Sequence, residues 1–443
     1  MEEQMNATAR VGAAPMENGV LVSIFVPDTH PLLQLMRALD WAAIRAVMVR
    51  YWRAAGKNVD GGPGRPWPVS LYVPLLVLMR LQHLHDRAME RYLAYDAAAR
   101  VFIGSTKEAT PWVRDPSNIA RAVGALGVAG WRESDELIVT QAVELGFGDA
   151  RILSSDTTVQ EPQIGSPNEP GILRGVAQRV YRALKKMGRR GAQGGAAGSE
   201  KAKEIFRLVK HHHLFAKRAD EKQEVLQQLV EKTKQLMGEC GQVVARVGKA
   251  TQLVVRSGLE KLKQLEAFCA ILLPQILHWL QTGAVAQGKL LHAGVSEARA
   301  IVKNKAGKRV EFGFKWIIHR IGGGYIFGQR VEAQADENKL PLEAVKDYQR
   351  VFGSQAKPEM SVYDRGGCAR TTSEELHKLG VEKVGIVPKG KTKWSVAEAD
   401  QKEVMSQRGQ TEGSIGTLKR YGFSGQREAT KPSRPPARGR WCL

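Results

Sequence analysis

The sequence predicts an α/β protein: a mixed sheet flanked by helices and preceded by an all-helical module. Three observations predict this. Up to residue 146 apolar residues recur at spacings of three and four; at Arg151 a β-favouring segment begins; from Arg309 the period returns to two, and strands then alternate with helices. A long helical region separates the second and third of these, read as an insert over about residues 171–300. The expected organisation is a disordered tail at 1–25, a helical module at 26–146, an α/β region at 147–423 carrying the insert, and a disordered basic tail at 424–443.

Leu32, Leu35, Met36, Leu39, Ala43, Val47 and Tyr51 share one helical face over 31–55, which Gly56 ends. A loop dense in Gly and Pro runs to Pro68, followed by helical stretches at 69–84, 86–103, 117–126 with Ser117 as cap, and 133–145. Arg45, Arg50, Arg53 and Arg65 are either phosphate contacts or a solvated face. The segment RILSSDTTVQ reads as a strand carrying Asp156.

Within the insert, a Gly and Ala linker spans Gly188 to Ser199. Val225, Leu226, Leu229, Val230, Leu236 and Met237 form one apolar stripe, and Leu259, Leu262, Leu265, Leu272, Ile276 and Leu280 another, as in an antiparallel helix pair. His211, His212 and His213 are adjacent and so point about 100° apart on a helix, which keeps them from converging on one ion.

Val310, Phe312, Phe314, Trp316 and Ile318 fall on one face of a strand, and the glycines of IGGG turn it into a second strand at 325–331. A helix follows, with Pro341 in its first turn. Met360–Gly367, MSVYDRGG, reads as a short strand that delivers Asp364 to its tip before a turn; the carboxylate is either a turn initiator or a site group. Thr372 with Glu375, and Ser395 with Glu398, look like capping boxes of two further helices, with a strand at 381–387 between them. The last helix offers Glu398, Glu403 and Glu412 as a third acid, and Arg408, Glu412, Ile415 and Lys419 lie on one of its faces. Glu412 with Arg408 is either part of a site or a solvated i, i+4 pair.

Composition narrows the partners. The chain of 443 residues is long enough for two or three cores, and its net charge of +21 with a pI near 9.9 favours a polyanion, nucleic acid ahead of an anionic membrane. The most apolar run, Phe268 to Leu280, is shorter than the roughly 20 residues a membrane span needs. The acidic, polar opening MEEQMNATAR lacks the basic and apolar pattern of a secretion leader, so none is expected. Cys240, Cys269, Cys368 and Cys442 lack ligand spacing, so free thiols in a cytoplasmic, nucleoid-associated protein without structural zinc are expected.

Three motifs, SSDTTVQEP around Asp156, MSVYDRGG around Asp364 and RGQTEGSIGTLKR around Glu412, give the chain its resemblance to bacterial insertion-sequence DDE transposases of the ISNCY-like kind. The opening stretch DTHPLLQLMRALDW, together with RGGCA, VPKGK and RYGF, extends the likeness over about residues 28–423. Arg408, Glu412 and Lys419 match the family's Tyr, Arg, Glu, Lys signature, with Met405 at the Tyr position.

The resemblance implies a ribonuclease-H-like mixed sheet and a helical DNA-binding-type amino-terminal domain. It implies Asp156, Asp364 and Glu412 as catalytic residues and ligands of two Mg²⁺ or Mn²⁺ ions, with Arg408 and Lys419 holding DNA phosphates. The activity it implies is strand cleavage at transposon ends and transfer into target DNA, by a homodimer on paired terminal inverted repeats. A hydrolysis-only nuclease and a defective copy that only binds ends are the alternatives. After Phe423 the chain is rich in Pro and Arg and cannot bury a face, so a truncated or frameshifted carboxyl end is expected relative to active relatives.

Overall fold

A computed structural model describes residues 10–11, 24–62, 66–104, 115–162, 164, 167–248, 252–303, 309–369, 371–388, 394 and 396–420. Arg65, Ser395, Cys442 and the carboxyl-terminal tail lie outside the described residues. Within the expected amino-terminal tail, Arg10–Val11 (β1) pairs antiparallel with Ile24–Phe25 (β2).

Six helices follow: α1 (Pro31–Ala38), α2 (Trp41–Ala54), α3 (Val69–Leu81), α4 (Asp86–Tyr95), α5 (Ala97–Phe102) and α6 (Pro116–Glu144). Periodicity alone gives one helix over 31–55, but the chain breaks at Leu39–Asp40 because the Asp40 carboxylate accepts from the Ala42 and Ala43 N–H groups. Asp96 divides the 86–103 stretch in the same way by capping Ala99. A short acid that satisfies first-turn donors starts a new helix more readily than it continues an old one.

The two helices expected at 117–145 are the arms of α6, bent at Gly127 (φ 67°, ψ 178°), a conformation that a side chain would oppose. Asp115, not Ser117, caps its start. Trp52, Tyr72, Ile44 and Met48 are wholly buried among these helices, and the Trp52 indole donates to the Ala122 carbonyl at 3.1 Å.

The sheet begins at β3 (Asp149–Gln160). The chain then leaves it for α7 (Glu169–Gly188), α8 (Ala196–Leu214), α9 (Ala219–Val247) and α10 (Leu253–Thr282), which bury a core of their own. Both predicted apolar stripes are in that core, Leu280 at its margin. Cys240 and Cys269 are buried there as free thiols, pushed up to about 12 by burial, and Cys368 is also free. Among the described residues no helix is long and apolar enough to cross a membrane.

The chain re-enters the sheet through β4 (Arg299–Val302), a four-residue strand too short to carry a periodic signal. Then come β5 (Val310–Gly322), β6 (Ile326–Val331), α11 (Leu340–Phe352), β7 (Met360–Tyr363), α12 (Thr372–Lys378), β8 (Lys383–Ile386) and α13 (Glu398–Leu418). The strand order is β4-β5-β3-β7-β8, with β6 also on β5; the β7 and β8 pairings are parallel and the others antiparallel, so the six-stranded sheet is mixed. Gly323 and Gly324, both at positive φ, make the β5–β6 turn.

No capping box opens α12. The Thr372 hydroxyl instead accepts from the Ala369 N–H, and the Thr371 side chain makes no cap bond.

The two sheet faces are covered differently. Leu153, Ile317 and Ile321 pack with Val345 and Tyr348 of α11, while Met360 and Val362 pack with Val404 of α13. Along β5 the predicted apolar row is half-buried at Val310, Phe312, Phe314 and Trp316 and enclosed only at Ile318; the alternate residues Lys315, Ile317 and His319 are enclosed throughout, because their side meets α11.

One polar chain crosses the α11 side. Arg350 donates to both oxygens of Glu136 on α6, at 2.6 and 2.7 Å, and through Nε to Asp347 Oδ1 at 2.8 Å. Asp347 Oδ2 lies 3.2 Å from His319 Nε2, an ion-pair distance without hydrogen-bond alignment, and His319 Nδ1 lies 2.8 Å from Ser155 Oγ. Burial pushes the Asp347 carboxyl up, but the contacts with His319 and Arg350 outweigh it and leave the carboxyl below its ordinary range. Removing the guanidinium would leave Glu136 with Arg132, at 3.2 Å, and Asp347 with His319, two largely buried acids each short of their closest cation. Arg350→Leu is therefore expected to lower the unfolding free energy by about 2–3 kcal/mol; an unmoved urea midpoint would show that this chain does not hold α6 to the sheet.

Candidate active site

The site is built by strand register. Ile152, Leu153, Ser154 and Ser155 of β3 pair in parallel with Met360, Ser361, Val362 and Tyr363 of β7. Residues paired across two strands point to the same face, and the next residue on each strand is Asp156 and Asp364. The two carboxylates thus leave the same edge, roughly one strand spacing of about 4.8 Å apart at the backbone. β7 stops at Tyr363 because Arg365–Gly367 wind into a 3-10 turn, in which the Gly367 N–H bonds the Asp364 carbonyl at 2.9 Å. A Cβ on Gly367 would stand 2.6 Å from both Tyr363 and Pro341, so the turn needs that glycine.

α13 lies across the same face. Thr411 Oγ1 is 2.7 Å from Ser154 Oγ, both enclosed, and 3.0 Å from the Gln407 carbonyl. Arg320 reaches from β5 to donate to the side chains of Gln407, at 2.9 Å, and Gln410. Val404 rests on Gly385 of β8, where a Cβ would be only 2.8 Å away. These contacts set the rotation of α13 and bring Arg408 and Glu412 over the strand tips.

Arg408 Nη2 meets Asp364 Oδ1 at 2.7 Å, and its Nε meets Glu412 Oε1 at 3.4 Å. The Asp364 and Glu412 side chains keep 45% and 57% exposure, enough for a ligand to reach them. Asp156 is more enclosed. Burial pushes its carboxyl up to about 6; Asp364 and Glu412 push the same way, against the 2.7 Å bond from the Thr157 N–H and the charge of Lys303. Asp156, Asp364, Glu412 and Arg408 are therefore brought together. Lys419 caps α13 two turns beyond Glu412, about 10 Å along the axis.

Three neighbours escaped the sequence reading. The Tyr363 hydroxyl donates to Glu337 Oε2 at 3.2 Å, and the buried Lys315 ammonium sits 2.6 Å from Glu337 Oε1. Burial raises the Tyr363 phenol, helped by the negative charges of Glu337, Asp156 and Asp364; Glu337 stands beside the acidic edge, since a Cβ on Gly366 would lie 3.8 Å from Asp364 Oδ2 and 4.0 Å from Glu337 Cβ. The available signal was Lys315, a charge inside the alternating run EFGFKWII.

Among the described residues no three His, Cys, Asp or Glu side chains are grouped closely enough to hold a metal ion as they stand. In kind, however, the donors suit a hard divalent cation: they are all carboxylate oxygens, and their mutual repulsion, visible at Asp156, is what such a cation would relieve. The group that now offsets Asp364 and Glu412 is Arg408.

Residues 21–123 match a family model described as Transposase domain (DUF772). No curated protein and no solved structure matches the chain. The domain match supports a transposase, a nucleic-acid-processing enzyme, and covers α1 to α5 and the start of α6 rather than the acidic edge of the sheet.

Two outcomes follow from this geometry. Asp156 has a carboxyl pushed up to about 6 against an ordinary 3.8, so its contribution is zero below about pH 4, grows steadily more destabilising between about pH 4 and 6, and is complete above that. Unfolding free energy should fall by about 3 kcal/mol across that window, and Asp156→Asn should remove that part of the profile; a wild-type slope in the variant would show that another group titrates. Thr411→Val should cost about 1 kcal/mol by removing the donor to Ser154 Oγ, which then keeps only the Gln407 carbonyl at 3.4 Å, with Thr411→Ser retaining most of the stability in urea titrations.

Proposed function

We propose that this protein is a DDE-type DNA transposase with a ribonuclease-H-like core, which cleaves strands at transposon ends and joins them to target DNA. The observation that carries the reading is the β3–β7 register, which sets Asp156 beside Asp364, with Glu412 supplied by α13. The transposase-domain match and the net charge of +21 support DNA as the partner. The helices up to residue 146 act as the DNA-binding part, and paired ends are held by a homodimer.

Asp156, Asp364 and Glu412 would hold two Mg²⁺ or Mn²⁺ ions, which supply positive charge to the attacking and leaving oxygens of an in-line phosphoryl displacement. In the first step water attacks an end phosphate as the bond to the 3′ oxygen breaks. In the second the freed 3′ hydroxyl attacks a target phosphate and displaces a target 3′ oxygen. Asp156 and Asp364 are fixed by the sheet, so the chain contributes preorganised oxygens rather than a reorganising loop. Arg408 shields Asp364 and Glu412 in the free protein and becomes a phosphate donor once those acids are engaged. Lys419 extends that contact along the strand.

The position of Arg408 among the acids also favours a second reading, a chain that occupies DNA ends without cutting. One experiment separates the readings. Labelled duplexes carrying the DNA that flanks the gene, incubated with Mg²⁺, should give nicked and then joined products. Hydrolysis without joined products would indicate a nuclease. Asp364→Asn is expected to abolish both products, at least a thousand-fold, while salt-sensitive DNA binding persists; cleavage that survives in the variant would sink the carboxylate assignment, and wild-type binding without any product would favour the second reading.

A further inference from the structure

The four-helix insert carries one surface that the acidic edge does not account for. Arg174, Arg179, Arg182, Lys186, Arg189 and Arg190 are all exposed on or at the end of α7. At 100° per residue they fall, with Lys185, inside an arc of about 160°. The opposite side, including Leu173, Val176, Val180, Leu184 and Met187, is the part of α7 buried in the bundle. From Arg174 to Arg190 the row is about 24 Å long.

This face is not the mixed-charge surface of an ordinary solvated helix. The single acid of α7, Glu169, is at its first turn and is already engaged by Lys289. Among the described residues, Arg174, Arg182, Lys186, Arg189 and Arg190 have no carboxylate partner. The neighbouring helices carry both kinds of cation, and several are paired: Lys203 with Glu200, Lys201 and Lys232 with Glu204, Lys234 with Glu231, and Arg218 with Asp220. Packing also presses like charges together on α7. Arg179 lies against Gly294, where a Cβ would have no room, and burial, with a smaller push from the Arg179 charge, depresses His292. Burial and the charge of Arg182 lower the Arg179 guanidinium in turn.

We propose that the exposed face of α7 is a docking surface for the phosphate backbone of duplex DNA. The inference deepens the function proposed above and rests on its DNA reading. A rigid row of about 24 Å faces a duplex that presents one charge per about 1.7 Å of axis, so it spans roughly seven base pairs. Unpaired guanidinium groups are suited to phosphate oxygens. A membrane is disfavoured because the apolar side of α7 is inside the bundle and leaves nothing to insert. β3, which carries Asp156, ends at Gln160 and α7 begins at Glu169, so one short connection joins this surface to the acidic edge.

The test uses the full chain and two variants of equal charge loss. One carries Arg174→Gln, Arg182→Gln, Lys185→Gln and Arg189→Gln; the other carries Lys203→Gln, Arg218→Gln, Lys232→Gln and Lys234→Gln, all at acid-paired cations. Thermal unfolding checks that each is folded. Binding to a 30-base-pair duplex is measured from 50 to 300 mM salt, alongside binding to polyglutamate. The α7 variant should bind the duplex at least ten-fold more weakly at low salt, with a log–log salt slope shallower by about 3 to 4, while the control slope changes by less than about 1. Equal changes in the two variants would overturn the proposal, since bulk charge would then explain the effect. Loss of polyglutamate binding with an unchanged duplex slope would overturn it in favour of an acidic protein partner. Failure of the wild-type chain to bind any duplex would instead remove the DNA reading itself.

Discussion

The parallel pairing of β3 with β7 is the constraint on which the rest of the acidic edge depends. β3 is hydrogen-bonded on both sides, with Asp156 opposite Ile318 on β5 and Ser155 opposite Tyr363 on β7. A slip of one residue would turn Asp156 toward α11 and put Ser155 in its place. Two ladders and two differently filled faces oppose that slip, so the position of Asp156 is set by the whole sheet rather than by local contacts.

The third acid is held in another way. Glu412 has no strand to fix it; it follows the rotation of α13, which is set by Val404 on Gly385, by Gln407 and Gln410 under Arg320, and by Thr411 on Ser154. The arrangement divides rigidity unevenly. Two carboxylates belong to the sheet and one to a helix that rests on it. Arg408 joins the two classes, since it meets Asp364 on the sheet side and Glu412 on its own helix.

Much of this was legible in the sequence, and the reasons differ by element. The strand around Asp156, the hairpin of β5 and β6 and the apolar stripes of α9 and α10 have strong periodicity, and local pattern reports them well. Helix ends were read less accurately, because Asp40, Asp96 and Asp115 compete for first-turn donors in ways that periodicity does not see. β4 was invisible at four residues. At the site, Asp364 and Glu412 could be proposed from motif spacing. Glu337, Lys315 and Tyr363 could not, because their association is a long-range contact between a loop and two strands, which no local pattern encodes.

Gly409, Gly413 and Gly416 are spaced along α13, and a Cβ at any of them would meet nothing within 4 Å. Each glycine weakens the helix by roughly 1 kcal/mol relative to alanine, and no packing on that side returns the loss. The helicity of α13 is therefore borrowed from the sheet beneath it. In sub-global opening this segment would detach before the strands do, taking Glu412 away while Asp156 and Asp364 stay in register. Amide protection along α13 would then report whether the acidic edge is assembled, independently of whether the protein is folded.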